Sequence, residues 1–220
     1  MQSFLLRLGL HYTSKANWSG AYLRYLATVV CPTPFQQIVF QESVRAVDQQ
    51  VERVQRLDAE LAEHVPAWRL SPVVQALQAL RGVQDTVAIT MVAELGDLTR
   101  FDTPRQLAAF LGLIPSDYSS GDRRRQGAIT KAGNGHARRA LIEGAWAYRF
   151  PAKVSAHIQK RLEHLPKPIQ DIGWKAQVRL CTRFRRLTAR GKHPNVAVTA
   201  VARELAAFMW AIAREVPITA

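Results

Sequence analysis

Residues 35–65, FQQIVFQESVRAVDQQVERVQRLDAELAEHV, place Val44, Val47, Val51, Val54, Leu57, Leu61 and Val65 at steps of three and four, with acids and bases between them. That period belongs to one continuous helix with an apolar seam, coiled-coil-like and about 45 Å long at 1.5 Å per residue. Two partners suit such a seam: the chain's own domain, or the same helix of a second copy.

Upstream, MQSFLLRLGLHYTSK opens a segment ended by Cys31-Pro32-Thr33-Pro34, since two prolines one residue apart stop a helix. Arg7 interrupts its apolar run and no small-residue cleavage site follows, so a cytoplasmic protein is expected rather than a secreted one. Downstream, Ser71-Pro72 reads as an N-cap and first-turn proline for a helix through Val73, Val74, Leu77 and Leu80, broken by Gly82. A second helix spans Asp85 to Leu95 and closes at Gly96; Thr103-Pro104 starts a third, reaching Gly112. The glycine turn between the first two is similar to a helix-hairpin-helix, whose backbone N–H groups can meet a phosphate. Gln84 stands where a second glycine is expected, so a purely structural turn is the other reading.

Residues 113–135, LIPSDYSSGDRRRQGAITKAGNG, keep no sustained period and predict an irregular Ser/Arg-rich loop. A helix then runs from Asn134 or Gly135 to Tyr148. Past a hinge at Pro166 and Pro168, another covers Trp174 to Ala189. The last begins at Pro194 and sets Val198, Val201, Leu205, Phe208 and Ile212 on one side. The expected fold is mainly α: an arm or linker over 1–34, a long coiled-coil-like helix within 35–70, and a compact helical domain over 71–220.

Charge divides sharply along the chain. Residues 1–117 hold 10 Lys/Arg against 11 Asp/Glu, whereas residues 118–220 hold 20 against 6. A block this basic serves a polyanion, because neutralised phosphates release condensed counterions. Nucleic acid fits better than a membrane, since the basic segments alternate with core positions and no apolar stretch nears the roughly 20 residues of a span. Cys31 and Cys181 form no metal-ligand pattern, and Glu94 with Asp97 is an ordinary surface pair, so no metal site is expected within this chain.

Two constellations carry the chemistry. In the first, Ser119, Ser120 and Gly121 precede Arg123, Arg124 and Arg125, then Lys131, Asn134, Arg138 and Arg139, with no acid between Arg123 and Ile142. Guanidinium forks pair with phosphate oxygens, and a serine hydroxyl among them is either a nucleophile or a backbone contact. No general base is evident; His136 reads as a phosphate contact or a cap. In the second, Lys175, Arg179, Arg183, Arg186 and Arg190 line one helical stripe, while Trp174, Val178, Cys181 and Leu187 take positions that suit a core.

Three blocks, LRGVQDTVAITMVAELGDLTRF, PRQLAAFLGLIPSDYSSGDRRRQGAITKAGNGHARRALIEGAW and GKHPNVAVTAVARELAAFMWAI, together resemble the C-terminal domain of the IS-one-ten family of insertion-sequence transposases. These are DEDD-type recombinases guided by a bridge RNA. The segment LLRLGLHYTSKANW and the long helix resemble the family's linker between its two catalytic domains.

The resemblance implies that 71–220 is a helical serine transposase domain in which Ser120, or Ser119 beside it, attacks DNA to form a phosphoserine link. It implies DNA and bridge RNA as partners, a homodimer through the long helix, and a tetramer in the full assembly. It places Mg2+ in an N-terminal RuvC-like domain whose four acids have no counterpart here, so no cofactor is expected within this chain. Met1 falls inside the linker-like segment, and a fragment or a truncated copy is expected, active only with that domain. The alternative is a nucleic-acid-binding and dimerisation module without chemistry.

Overall fold

The computed structural model describes residues 1–13, 18–117 and 126–217. The chain divides into two compact units, Met1–Pro66 and Ala67–Ala220. The fold is mainly α, with one two-stranded sheet among the described residues.

The first unit holds α1 (Gln2–Arg7), α2 (Gly20–Thr28) and α3 (Pro34–His64). Ser19 Oγ caps α2 by accepting from the Tyr22 N–H. Thr33 and Gln36 form a reciprocal capping box at the start of α3, where Pro34 costs no helical hydrogen bond. The CPTP signal therefore both ends one helix and begins the next. Leu5, Tyr22, Leu26, Val29, Cys31 and Phe40 make a small core. Further along α3 the predicted seam lies open, with Val51, Val54, Leu57 and Leu61 between 38% and 56% exposed.

The second unit contains α4 (Ser71–Leu77), α5 (Asp85–Leu95), α6 (Pro104–Phe110), β1 (Pro115–Asp117), β2 (Gln126–Ile129), α7 (Gly135–Ala145), α8 (Ala156–Leu162), α9 (Lys167–Ala189) and α10 (Pro194–Arg214). The last helix is the hub, packing against α4, α6, α7 and α9. By length and composition α10 is apolar enough to cross a membrane, yet Val198, Val201, Leu205, Met209 and Ile212 are buried in the unit. Met209 takes the core position expected of Phe208, which is only half-buried. Trp210 Nε1 donates to the Phe101 carbonyl at 2.7 Å and ties the helix to the residues before α6.

Local expectations meet corrections at four places. Ser71 is the first residue of α4, not its cap, and its buried side chain makes no capping bond. Helix α4 ends at Leu77, after which Ala79 and Leu80 continue in tighter three-residue turns. Helix α9 begins at Lys167, seven residues earlier than predicted. Pro166 and Pro168 fall at its cap and first turn, where proline is tolerated, and Gly173 sits inside the helix because its bare backbone packs on the Ala79 carbonyl. The stretch predicted as irregular contains the β1–β2 hairpin, antiparallel with Pro115 opposite Ile129 and Asp117 opposite Gln126.

The α4–α5 turn carries Gly82 at φ +78°. A Cβ there would stand 2.0 Å from the Gly144 carbonyl oxygen, so this glycine lets the turn press against α7.

Candidate nucleic-acid interface

The hairpin and the start of α7 form a laced platform. After β2, Thr130 N–H donates to the Ile114 carbonyl, Lys131 N–H to Gly112 and Asn134 N–H to Phe110. Lys131 adopts φ +57°, a conformation that L residues rarely hold without support from their surroundings. Arg138 Nη1 donates to the Leu111 carbonyl at 2.9 Å, so this predicted phosphate ligand also braces the platform.

Asn134 caps α7. Its Oδ1 accepts from the Ala137 N–H at 2.9 Å, and its Nδ2 donates to Glu94 Oε2 at 2.7 Å. His136 Nδ1 lies 2.7 Å from Glu94 Oε1. A carboxylate only accepts, so His136 Nδ1 carries the proton of this contact and donates it to Glu94. Donation from Asn134, then from His136, holds the Glu94 carboxyl below its ordinary range. Glu94 thus fixes the first turn of α7; in the sequence it stood out only as half of an unremarkable acid pair.

Ser119, Ser120, Arg123, Arg124 and Arg125 lie outside the described residues. Their flanks are placed: Asp117 and Gln126 are paired, so the chain leaves and rejoins the sheet at adjacent positions. Lys131 and Arg139 present exposed side chains that make no ion pair with any described residue.

The second predicted constellation lies on the outer face of α9. The side chains of Lys175, Arg186 and Arg190 are exposed and have no described partner. Arg179 Nε donates to Glu204 Oε2 at 2.8 Å, and Arg183 Nε lies 3.2 Å from Oε1 of the same carboxylate in an ion pair without hydrogen-bond alignment. An acid from α10 therefore relieves the crowding of like charge that the local sequence shows. Its distance along the chain hid it.

Trp174 and Val178 are corrected as well. Both were expected to face a core, and both are exposed, while Gly173, Ala176, Gln177, Leu180, Cys181 and Phe184 form the buried side. The signal was present in the spacing: 174, 178 and 182 run beside the cationic row rather than opposite it. Among the described residues no group of three or more His, Cys, Asp or Glu side chains is placed to hold a metal ion.

Residues 74–159 match the family model described as Transposase IS116/IS110/IS902 family. The chain is 45% identical over 215 residues to a putative transposase, y4qE, of Sinorhizobium fredii, an alignment covering 98% of this chain and 52% of that protein. It is 39% identical over 95 residues to a probable family 20 transposase of Pseudomonas aeruginosa, covering 43% of this chain and 27% of the relative. Over 73 residues it is 41% identical to the transposase for insertion sequence element IS1111A of Coxiella burnetii, covering 33% and 20%. The chain thus spans about half the length of the first of these relatives and less of the others. The matched segment includes the α4–α5 turn, the hairpin and the capped start of α7, and over it the chain is similar to the IS116/IS110/IS902 family of transposases.

Proposed function

We propose that this chain is the DNA-joining part of an insertion-sequence transposase, with Ser120 as nucleophile and Ser119 as the neighbour to test second. The observation that carries the reading is the family match over 74–159, which brackets a serine and three arginines between paired strands and ahead of a helix with exposed cations. In the proposed step the Ser120 Oγ attacks a DNA phosphorus. The new Ser–O–P bond replaces a bond from phosphorus to a deoxyribose oxygen. The serine proton leaves to a base or solvent, and the released sugar oxygen takes one up.

Arg123, Arg124 and Arg125, with Lys131, Arg138 and Arg139, hold the phosphate oxygens as charge builds on them. The helix start at Asn134 adds N–H groups and a positive dipole end. Lys175, Arg179, Arg183, Arg186 and Arg190 track the nucleic-acid backbone. The α3 seam pairs with a second copy, two such dimers form a tetramer, and a bridge RNA supplies target choice. Magnesium belongs to a RuvC-like domain acting with this one. The described residues of this chain offer no ligand set that fits it, and no step here runs through it.

The test combines the chain with such a nuclease-like domain, guide RNA and DNA, then separates protein from DNA under denaturing conditions. Wild type is expected to retain DNA covalently and Ser120→Ala to lose it. Covalent product persisting in Ser120→Ala overturns the assignment of the nucleophile.

A further inference from the structure

The outer face of α9 carries two rows side by side. Trp174, Val178 and Thr182 recur every four residues, and Lys175, Arg179, Arg183 and Arg186 run along the next row. With Glu204 of α10 they line a groove of about 610 Å3. Trp174 is 49% exposed and Val178 43%, and the Trp174 indole has no ring or hydrogen-bond partner among the described residues. Against the groove's four cations stands one carboxylate, which pairs with Arg179 and Arg183 alone, so the groove stays strongly positive.

A solvated helix face needs cations but no indole. A duplex backbone would satisfy the cations, yet its bases are stacked away inside and cannot reach Trp174. An acidic peptide meets the cations but uses the ring only if an apolar side chain happens to fall beside its acids. A strand with an unpaired base satisfies both rows together: the base stacks on a flat aromatic, and the phosphates on either side meet guanidinium and ammonium groups. From Lys175 to Arg186 the row runs about 16 Å along the helix, enough for a short single-stranded run.

We infer that the α9 groove is a binding site for unpaired bases of single-stranded DNA, with Trp174 as its stacking platform. This rests on the nucleic-acid reading above and gives it a strand form. Joining two duplexes requires that bases of each be unpaired for a time, and a groove of this chemistry holds one while it is open.

The test is fluorescence anisotropy of the full chain with a labelled 12-nucleotide single strand, its duplex, and the RNA of the same sequence, at one salt concentration. Trp174→Ala is expected to weaken binding of single-stranded DNA between about 5-fold and about 150-fold, the range for loss of one stacked base, and to leave duplex binding within about twofold. Trp174→Phe should keep most of the affinity. Irradiation of a strand carrying 5-bromouracil should attach it to the peptide that contains Trp174, which guards against a variant that misfolds. Equal loss for single strand and duplex, no loss for either, attachment only elsewhere, or a Trp174-dependent preference for RNA above about tenfold would each overturn the inference. If no nucleic acid binds wild type, the proposed function fails first; if duplex binds and Trp174→Ala changes nothing, only this inference fails.

Discussion

The carbonyl oxygen of Gly144 occupies the space in which a side chain at Gly82 would begin, and the Gly82 carbonyl stands in the same way before Gly144, 2.7 Å from where its Cβ would lie. Two backbones meet here with nothing between them, and Gly82 also holds φ +78°. Gly82→Ala is expected to destabilise the second unit by about 3 kcal/mol, from strain and overpacking together. Gly96 has φ +66° and ψ −140°, also a glycine conformation, but open space around it, so Gly96→Ala should cost the backbone strain alone, about 2 kcal/mol. Chemical denaturation compares the two, and equal losses would contradict the packing role.

Acid should loosen the start of α7. The Glu94 carboxyl is held low by its hydrogen bonds, so its folded pKa lies beneath the unfolded one. Its contribution is complete above the unfolded value of about 4.3 and disappears as pH falls through the lower, folded value. Melting of wild type and Glu94→Gln should therefore differ near neutrality and converge as pH falls through the folded value. Asn134→Ala, which removes the cap as well, should cost about 1 kcal/mol at neutral pH. A gap between wild type and Glu94→Gln that widens in acid would reverse the sign and the explanation with it.

Tyr148, in the turn that follows α7, is fully buried, and burial pushes its hydroxyl well above the ordinary phenol range. The Arg81 backbone acts on that oxygen without completing a hydrogen bond. Tyr148→Phe should leave stability within about 1 kcal/mol of wild type or raise it, because little bonding is lost. Tyr148→Ala should cost about 3–5 kcal/mol through the cavity it opens. Urea midpoints decide between them, and a large loss in the phenylalanine variant would mean that the oxygen has a partner.

Glu204 damps the α9 face by holding Arg179 and Arg183. Glu204→Gln should tighten DNA binding and steepen the plot of log affinity against log salt by roughly one unit for each arginine that gains a phosphate. An unchanged slope would mean that these two arginines remain committed inside the unit.

Helix α3 should pair through its open seam. Replacing Val54 and Leu57, both about half exposed, by Asp is expected to turn a dimer into a monomer in sedimentation while the helix content stays nearly constant. A wild-type chain that sediments as a monomer across the micromolar range would remove this mode of assembly.

The features legible in the sequence were those with local causes. The Thr103 cap, the Gly96 stop and the recurring apolar steps of α3 each depend on residues within one or two turns. The hairpin was not legible, because strands of three and four residues are too short to show alternation and are held by pairing across the intervening chain. Helix α9 was clipped because Pro168 and Gly173 look like breakers until the Ala79 backbone gives Gly173 a reason to be there. The cationic row was visible in the spacing, but Trp174 was assigned to the wrong side. Glu204 could not be paired with α9 from a position 25 residues beyond Arg179.

Since α4, α6, α7 and α9 all pack on α10, the second unit has no centre until residues 194–214 have left the ribosome. Before then α5 can pack on α4 and α7, but the sides that face α10 stay uncovered. Folding of this unit is therefore completed only by its own last helix, and until then the apolar sides that α10 covers are open to other chains.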